Sequence, residues 1–538
     1  MAKLHSRNQK NYEFPFVSPE TQSYILSLTA SELSQVISQG KISSVQVVST
    51  YCQRAHNIGR SYNLTAEENF DQALELAKIC DEDLSKGCLR GSLHGVPFSV
   101  KDHITMKGCI SSAGMIWLLD HPDEETAITV KILIEEGGIP FVRSNVPQAI
   151  SWIETENAIY GRADNPWDRF RTPGGSTGGE GGLICSRSSP LGIGTDIGGS
   201  IRSPCNNCGV YGFRPTPQRI SLDGVRTASD YDDLTNYDII AGGQGPMGRS
   251  VDDLVMIIRA WMKEKMFRFD PVIVPLPFDE KMFGDKKRLK IGYFYDLPCF
   301  MSTGYVKEAI LRCGRELSKN HEVVSFEFKN AHEIVQIFIK LISVDGNTHL
   351  KRALHNEPPM DFYKLQFFTS DHPWVTNSIK TILKALGHKR LHSLMDSQSY
   401  ISPSEYISLY RQAEKICQEA IDQWANEGLD IIICPTLGVA APYHGGAAQT
   451  IPGLAFSYIW NLLKFPSGIV PVGLVKNNEV GYKDEFNDPI TQGCCDQMQN
   501  TEGMPYGIQI VAQPYKDEIA LRVMKEVEGI FDFHKYAL

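Results

Sequence analysis

Residues 172–216 read TPGGSTGGEGGLICSRSSPLGIGTDIGGSIRSPCNNCGVYGFRPT, a stretch that sets serines and paired glycines in a backbone with few side chains. Glycine lets a main chain take positive φ and come within hydrogen-bond distance of a bound group, at an entropic cost that an ordinary loop has no reason to bear. Two serines sit inside glycine clusters: Ser176 in Gly174-Gly175-Ser176-Thr177-Gly178-Gly179, and Ser200 in Gly198-Gly199-Ser200. Such a segment points to nucleophilic catalysis.

Ser200 is the candidate nucleophile. It follows Asp196-Ile197-Gly198-Gly199, a run whose successive N–H groups can aim at one point and hold a tetrahedral oxyanion, worth about 2.7–4 kcal/mol for one donor. The chain between Ser176 and Ser200 is long enough for a loop, a helix and a return, so the two hydroxyls can converge. Asp196 and Arg202 flank the nucleophile and can pair beneath it; solvated surface charge is the alternative.

Upstream, residues 93–100 form an apolar run that stops abruptly at Lys101-Asp102, as a buried strand does when it delivers a charged residue to a sheet edge. An ammonium ion cannot accept a proton. Burial beside Val96, Phe98 and Val100 would favour the neutral amine that a base requires. Asp102 would oppose this if the two side chains met, but neighbours on a strand point to opposite faces. The plain alternative for Lys101 is a surface lysine at a strand terminus.

Thr29-Ala30-Ser31-Glu32-Leu33 carries an N-terminal helix signature, and a second helix is predicted over residues 44–55. Residues 127–136 read as helix and 139–143 as strand. Strand and helix alternate again at 290–294, 306–317 and 323–326. This alternation predicts an α/β protein with a central, mostly parallel sheet covered by helices on both faces. With no internal repeat or low-complexity linker, one large domain over 29–538 after a tail of residues 1–28 is the expectation.

The glycine-serine segment, together with Gly95-Val96-Pro97-Phe98-Ser99-Val100-Lys101-Asp102 and Gly194-Thr195-Asp196-Ile197-Gly198-Gly199-Ser200-Ile201-Arg202, resembles the amidase signature family of serine hydrolases. Downstream, Tyr410-Arg411-Gln412, residues 429–438, Phe465-Pro466-Ser467-Gly468 and Pro505-Tyr506-Gly507-Ile508-Gln509 are most similar to its fatty acid amide hydrolase branch. The likeness runs from about residue 30 to 530. It implies the amidase signature fold, with a twisted mixed sheet, and a Ser-Ser-Lys catalytic set. Ser200 would attack, Lys101 would act as base, and Ser176 would pass the proton between them and on to the amine. The resemblance also implies a cis peptide bond at Ser176 and an oxyanion hole on Ile197, Gly198, Gly199 and Ser200. Ile150 would line the substrate pocket beside Ser176 and the hole residues, with Ser151 and Trp152 at neighbouring pocket positions. No metal and no organic cofactor is implied. Thr177, where relatives commonly carry Ser or Gly, keeps a hydroxyl and adds a methyl.

Competing readings exist for the same residues. Gly174-Gly175-Ser176-Thr177-Gly178 fits G-x-S-x-G, the strand-to-helix elbow that would make Ser176 the nucleophile, but the preceding Asn165-Pro166-Trp167-Asp168-Arg169-Phe170-Arg171 is a polar loop and no strand. Gly192-Ile193-Gly194-Thr195-Asp196-Ile197-Gly198 places its third glycine one residue too late for a dinucleotide fingerprint. A non-catalytic module, or an amidotransferase-like subunit acting on short or carrier-bound amides, is the other alternative.

A net charge of -10 and a pI near 5.8 speak against a nucleic-acid partner, which needs clustered basic surface. Thirteen cysteines, an odd number, fit reduced thiols in an intracellular compartment better than a disulfide framework. Cys205-Asn206-Asn207-Cys208 has redox or zinc spacing without a second ligand pair and is read as core. The opening MAKLHSRNQKNYEFPFVSPE contains no apolar run of signal-peptide or membrane-span type, so a cytoplasmic or peripherally membrane-associated protein is expected. The uncharged stretch 431–463 is punctuated by prolines and glycines and reads as a buried strand, a substrate-lining loop and a short core helix. Over 373–395, Ile379, Ile382, Leu383 and Leu386 share one helical side while Lys380, Lys384, Lys389, Arg390 and Trp374 supply the cations and aromatic of an interfacial helix. Gly387 should break it in two. The resemblance implies that this is a membrane-facing cap, giving weak and reversible attachment; an ordinary amphipathic helix packed on the core is the alternative. The substrate implied is a lipid amide, and a homodimer is a possible assembly.

Overall fold

An apolar run too continuous to alternate becomes a strand covered on both faces. In the computed structural model, which describes residues 10, 12–227, 240–396 and 401–533, Pro97–Lys101 and Ile431–Pro435 are such strands, buried at every position. They belong to one eleven-stranded sheet. In chain order its strands are β1 (Thr65–Glu68), β2 (Pro97–Lys101), β3 (Ile139–Ser144), β4 (Leu191–Asp196), β5 (Tyr211–Arg214), β6 (Gly243–Gly248), β7 (Lys290–Tyr293), β8 (Glu322–Ser325), β9 (Ile431–Pro435), β10 (Ser467–Leu474) and β11 (Pro505–Ala512). Across the sheet they run β1-β3-β2-β4-β6-β5-β10-β11-β9-β7-β8.

The sheet is mixed. Parallel pairing, as the βα alternation predicts, occupies two blocks, β3-β2-β4 and β9-β7-β8. Between them, β4-β6-β5-β10-β11-β9 pairs antiparallel, and so does β1 with β3 at the edge. The predicted helices flank it. Gly212 on β5 stands opposite Ile469 on β10, and Phe213 stands opposite Gly468. A Cβ on Gly212 would meet Cys205 of the helix Arg202–Cys208, whereas a Cβ on Gly468 would meet Met524 of the helix Asp517–Phe531. Successive residues of a strand face opposite ways, so these two helices cover opposite faces of the sheet.

The helix start expected at residues 29–33 forms, with Thr29 as its cap: Thr29 N–H donates to Glu32 Oε2 at 2.8 Å, and the helix spans Ala30–Ser38. The expected N-terminal tail is docked over its described part. Tyr12 and Phe14 pack edge-on against Phe70, a helix forms at Pro19–Ser27, and Arg249 Nη1 donates to Leu26 O at 2.9 Å. All thirteen cysteines are free, and Cys205 and Cys208 are buried in the core.

Candidate active site

Lys101 is the last residue of β2, held between β3 and β4, and its side chain is fully buried. Its Nζ lies 2.8 Å from Ser176 Oγ. Ser176 stands just ahead of the helix Gly178–Cys185, and the Gly175–Ser176 bond is cis. Burial lowers the Lys101 amine from 10.5 to about 7, against the opposing pull of Asp196 and Glu180. Asp102 points away, as strand alternation requires: it accepts from Ser112 Oγ at 2.9 Å, and burial raises its carboxyl to about 6. The surface-lysine alternative is thereby set aside.

Ser200 lies in the turn between β4 and the helix Arg202–Cys208 and is partly exposed. Its carbonyl accepts from Thr177 N–H at 3.2 Å, which ties the two serine segments together. Gly199, with φ +108°, makes the turn possible. Asp196 organises it from beneath: Oδ1 accepts from Gly199 N–H at 2.8 Å and Oδ2 from Ile201 N–H at 3.1 Å. The Asp196–Arg202 pair expected from the sequence exists, at 2.9 Å with both side chains fully buried. Burial would raise this carboxyl, but Arg202, Arg214 and the Gly199 N–H hold it well below the usual range. Arg202 in turn donates to Gln509 Oε1 of β11 at 3.1 Å, and Asn461 Nδ2 donates to Asp196 at 3.1 Å. One expectation changes here. The Gly199 N–H, one of the four oxyanion donors the resemblance implied, is turned inward and donates to Asp196 Oδ1 in this conformation.

Thr177 uses its departure from the common residue: its Oγ1 donates to Thr195 O at 3.2 Å, and its methyl fills the space that a Cβ at Gly194 would take. Ile150, at φ +56°, packs partly buried against a small apolar cluster that includes Met115, Leu118 and Tyr363. Nearby, Trp152 stacks on Phe362 at 5.0 Å, and the Trp152 carbonyl passes close to Gly175.

Sequence reading missed several neighbours. Thr195 Oγ1 lies 2.8 Å from Lys101 Nζ and 2.8 Å from His103 Nε2. His103 follows Lys101 by two residues, and period-two spacing was the available signal. Glu180, buried and bonded by Ser99 Oγ, is pushed up to about 8 by burial. Phe338 and Tyr458 stack at 4.2 Å beside Gly198, forming an apolar wall next to the turn that carries Ser200. Tyr458 lies inside the uncharged stretch, which does form strand, loop and core helix (Ala455–Leu462).

The predicted cap is two helices, Pro373–Ala385 and Lys389–Asp396, broken at Gly387 with φ +77°. Trp374 (69%), Leu386 (64%) and Ile382 (57%) are exposed, while Leu383 is buried. Arg390 does not belong to an outward basic face: it is buried in ion pairs with Asp484 at 3.1 Å and Asp488 at 2.5 Å. No helix among the described residues is long and apolar enough to cross a membrane.

A strand-end amine buried against one serine, with a second serine on an arginine-braced turn, belongs to the amidase class of hydrolases. The amidase family model matches residues 46–521, and the chain belongs to that family, whose activity is amide hydrolysis. Its relatives include fatty-acid amide hydrolase 1 of Sus scrofa, 30% identical over 551 residues that span 98% of this chain and 90% of the relative. Fatty acid amide hydrolase 1 of Caenorhabditis elegans is 29% identical over 95% of this chain and 89% of its own length. A solved fatty acid amide hydrolase superposes with a TM-score of 0.82 at 23% identity, covering 96% of this chain and 87% of that one, a match of fold.

Proposed function

We propose that this protein hydrolyses fatty acid amides, N-acylethanolamines and related lipid amides among them, to a free fatty acid and an amine through an acyl-enzyme on Ser200. The observation that carries the mechanism is the 2.8 Å contact between a fully buried Lys101 amine and Ser176 Oγ. Neutral Lys101 takes the Ser176 proton as Ser176 takes that of Ser200, whose oxygen then bonds the amide carbon. The oxyanion rests on the N–H groups of Ile197, Gly198 and Ser200. As the C–N bond breaks, Ser176 gives its proton to the departing nitrogen and recovers one from Lys101. Water then attacks the ester, losing a proton to the same relay, and the fatty acid leaves as Ser200 is reprotonated.

The lipid assignment is supported by the names of the relatives, by the Phe338–Tyr458 wall and Ile150, and by the exposed apolar side chains of the cap, which we assign to weak membrane contact. Ser200→Ala should abolish turnover and labelling by an active-site-directed fluorophosphonate while circular dichroism stays unchanged; substantial residual turnover would reject Ser200. Lys101→Ala should depress amide cleavage more than cleavage of the matched ester, because an amine leaves poorly unless protonated. Equal losses would remove Lys101 as the proton source. Across a series of N-acyl amides, kcat/KM should rise from short to long acyl chains, and a preference for short amides would favour the amidotransferase-like reading.

A further inference from the structure

We propose that His103 is a positioning residue that holds the Thr195 hydroxyl proton away from the Lys101 amine, leaving the amine lone pair free to take the proton of Ser176. This rests on the reading of Lys101 as base given above.

The argument is one of donor and acceptor supply. A neutral primary amine has two N–H donors and one lone pair, and only the lone pair can act as base. Thr195 Oγ1, 2.8 Å from Lys101 Nζ, can either accept an N–H or donate its own proton to that lone pair. In the second arrangement the base is blocked. The choice is set on the far side of Thr195. His103 Nδ1 lies 2.6 Å from the Arg226 carbonyl, which has no proton to give, so Nδ1 carries the hydrogen and Nε2 presents a lone pair. Nε2 lies 2.8 Å from Thr195 Oγ1, and the hydroxyl proton goes there. Thr195 is left as an acceptor only, and it takes one N–H of Lys101. The chain is one-way: Lys101 N–H to Thr195, Thr195 O–H to His103, and His103 Nδ1–H to Arg226.

The anchor is tied down by several contacts. Arg226 N–H donates to His103 O at 2.9 Å, Thr105 N–H donates to Gly224 O at 2.8 Å, and Ile104 bridges Val225 between them. The Arg226 guanidinium is also paired with buried Asp123 at 3.1 Å. Backbone pairing of residues 224–226 with 103–105 therefore holds the segment that carries the tautomer-setting carbonyl. A cationic imidazole would reverse the chain by donating from Nε2 to Thr195; His103 is buried, with the Lys101 amine beside it, and both disfavour that form.

His103→Phe removes the acceptor, so Thr195 can turn its proton onto Lys101. The expected result is a fall in kcat of at least about tenfold with KM nearly unchanged. His103→Gln, whose side-chain oxygen can receive the Thr195 proton, should recover most of that loss. The decisive comparison is His103→Phe combined with Thr195→Val: with no hydroxyl left to block the amine, the double variant should turn over faster than His103→Phe alone. If Phe disrupts folding, His103→Leu serves in the same comparison. A double variant as slow as or slower than the single one, or a His103→Phe enzyme with normal kcat, overturns the inference. Lys101→Ala separates the two readings. An active Lys101→Ala enzyme sinks the base assignment and this inference with it; an inactive one beside an unimpaired His103→Phe enzyme sinks this inference alone.

Discussion

At the scale of single residues, the site is held together by charges and donors that the protein has taken out of water. Lys101 illustrates the tension: the burial that favours its neutral amine, the form the proposed base requires, also destabilises the fold. Its folded-state pKa, about 7, lies below the 10.5 of a free lysine. Below the folded value both states hold the proton and the burial penalty is fully present; between the two values the unfolded chain alone keeps it, so stability climbs with pH. Lys101→Met should therefore raise the free energy of unfolding at neutral pH by at least about 1 kcal/mol, while abolishing amide turnover. The gain should shrink as pH approaches 10. Thermal unfolding of both proteins from pH 6 to 10 checks this, and a destabilised Lys101→Met at pH 7 would contradict it. The same burial predicts that wild-type kcat/KM rises through about pH 7 as Lys101 loses its proton.

Among the elements, the cap pair leaves large apolar side chains exposed. The helix Pro373–Ala385 buries Leu383 and leaves Trp374 and Ile382 outward, with Leu386 just past its end. Of the cations predicted for an interfacial face, Lys384 and Lys389 are exposed, Lys380 is tied to Asp396 at 2.8 Å, and Arg390 is spent inside. Apolar side chains therefore carry more of any membrane contact than charge does. Trp374→Ser with Leu386→Ser should weaken co-sedimentation with liposomes by at least about tenfold and leave turnover of a short, water-soluble amide unchanged. Sedimentation that does not change would dismiss the cap as a membrane contact.

On the scale of the whole molecule, the sheet interleaves distant parts of the chain. β5, from the first half, lies beside β10, and β11 is inserted between β10 and β9. Gln509 of β11 braces Arg202, two residues past Ser200, and also donates to Pro435 O at 2.7 Å. We take the chain as one folding unit for this reason. A fragment of residues 1–262 would leave Tyr211–Arg214 as an uncovered edge and should be insoluble or unfolded. A soluble fragment with a cooperative transition would show instead that the halves fold separately.

Much of this was readable from local pattern. Strand and helix periods, the helix start at residues 29–33, the break at Gly387 and the glycine-bounded serines depend on residues close in sequence, and there the chain alone was a sufficient guide. So was the opposition of Lys101 and Asp102, since alternation along a strand is a property of the backbone. The antiparallel centre of the sheet, the burial of Arg390 and the His103–Thr195 contact were not readable in this way. Each depends on which distant segment arrives beside it: β10 and β11 at the sheet, Asp484 and Asp488 at Arg390, the Arg226 carbonyl at His103. Hydrogen-bond direction and burial are properties of such meetings, and they exist only once the chain has closed on itself.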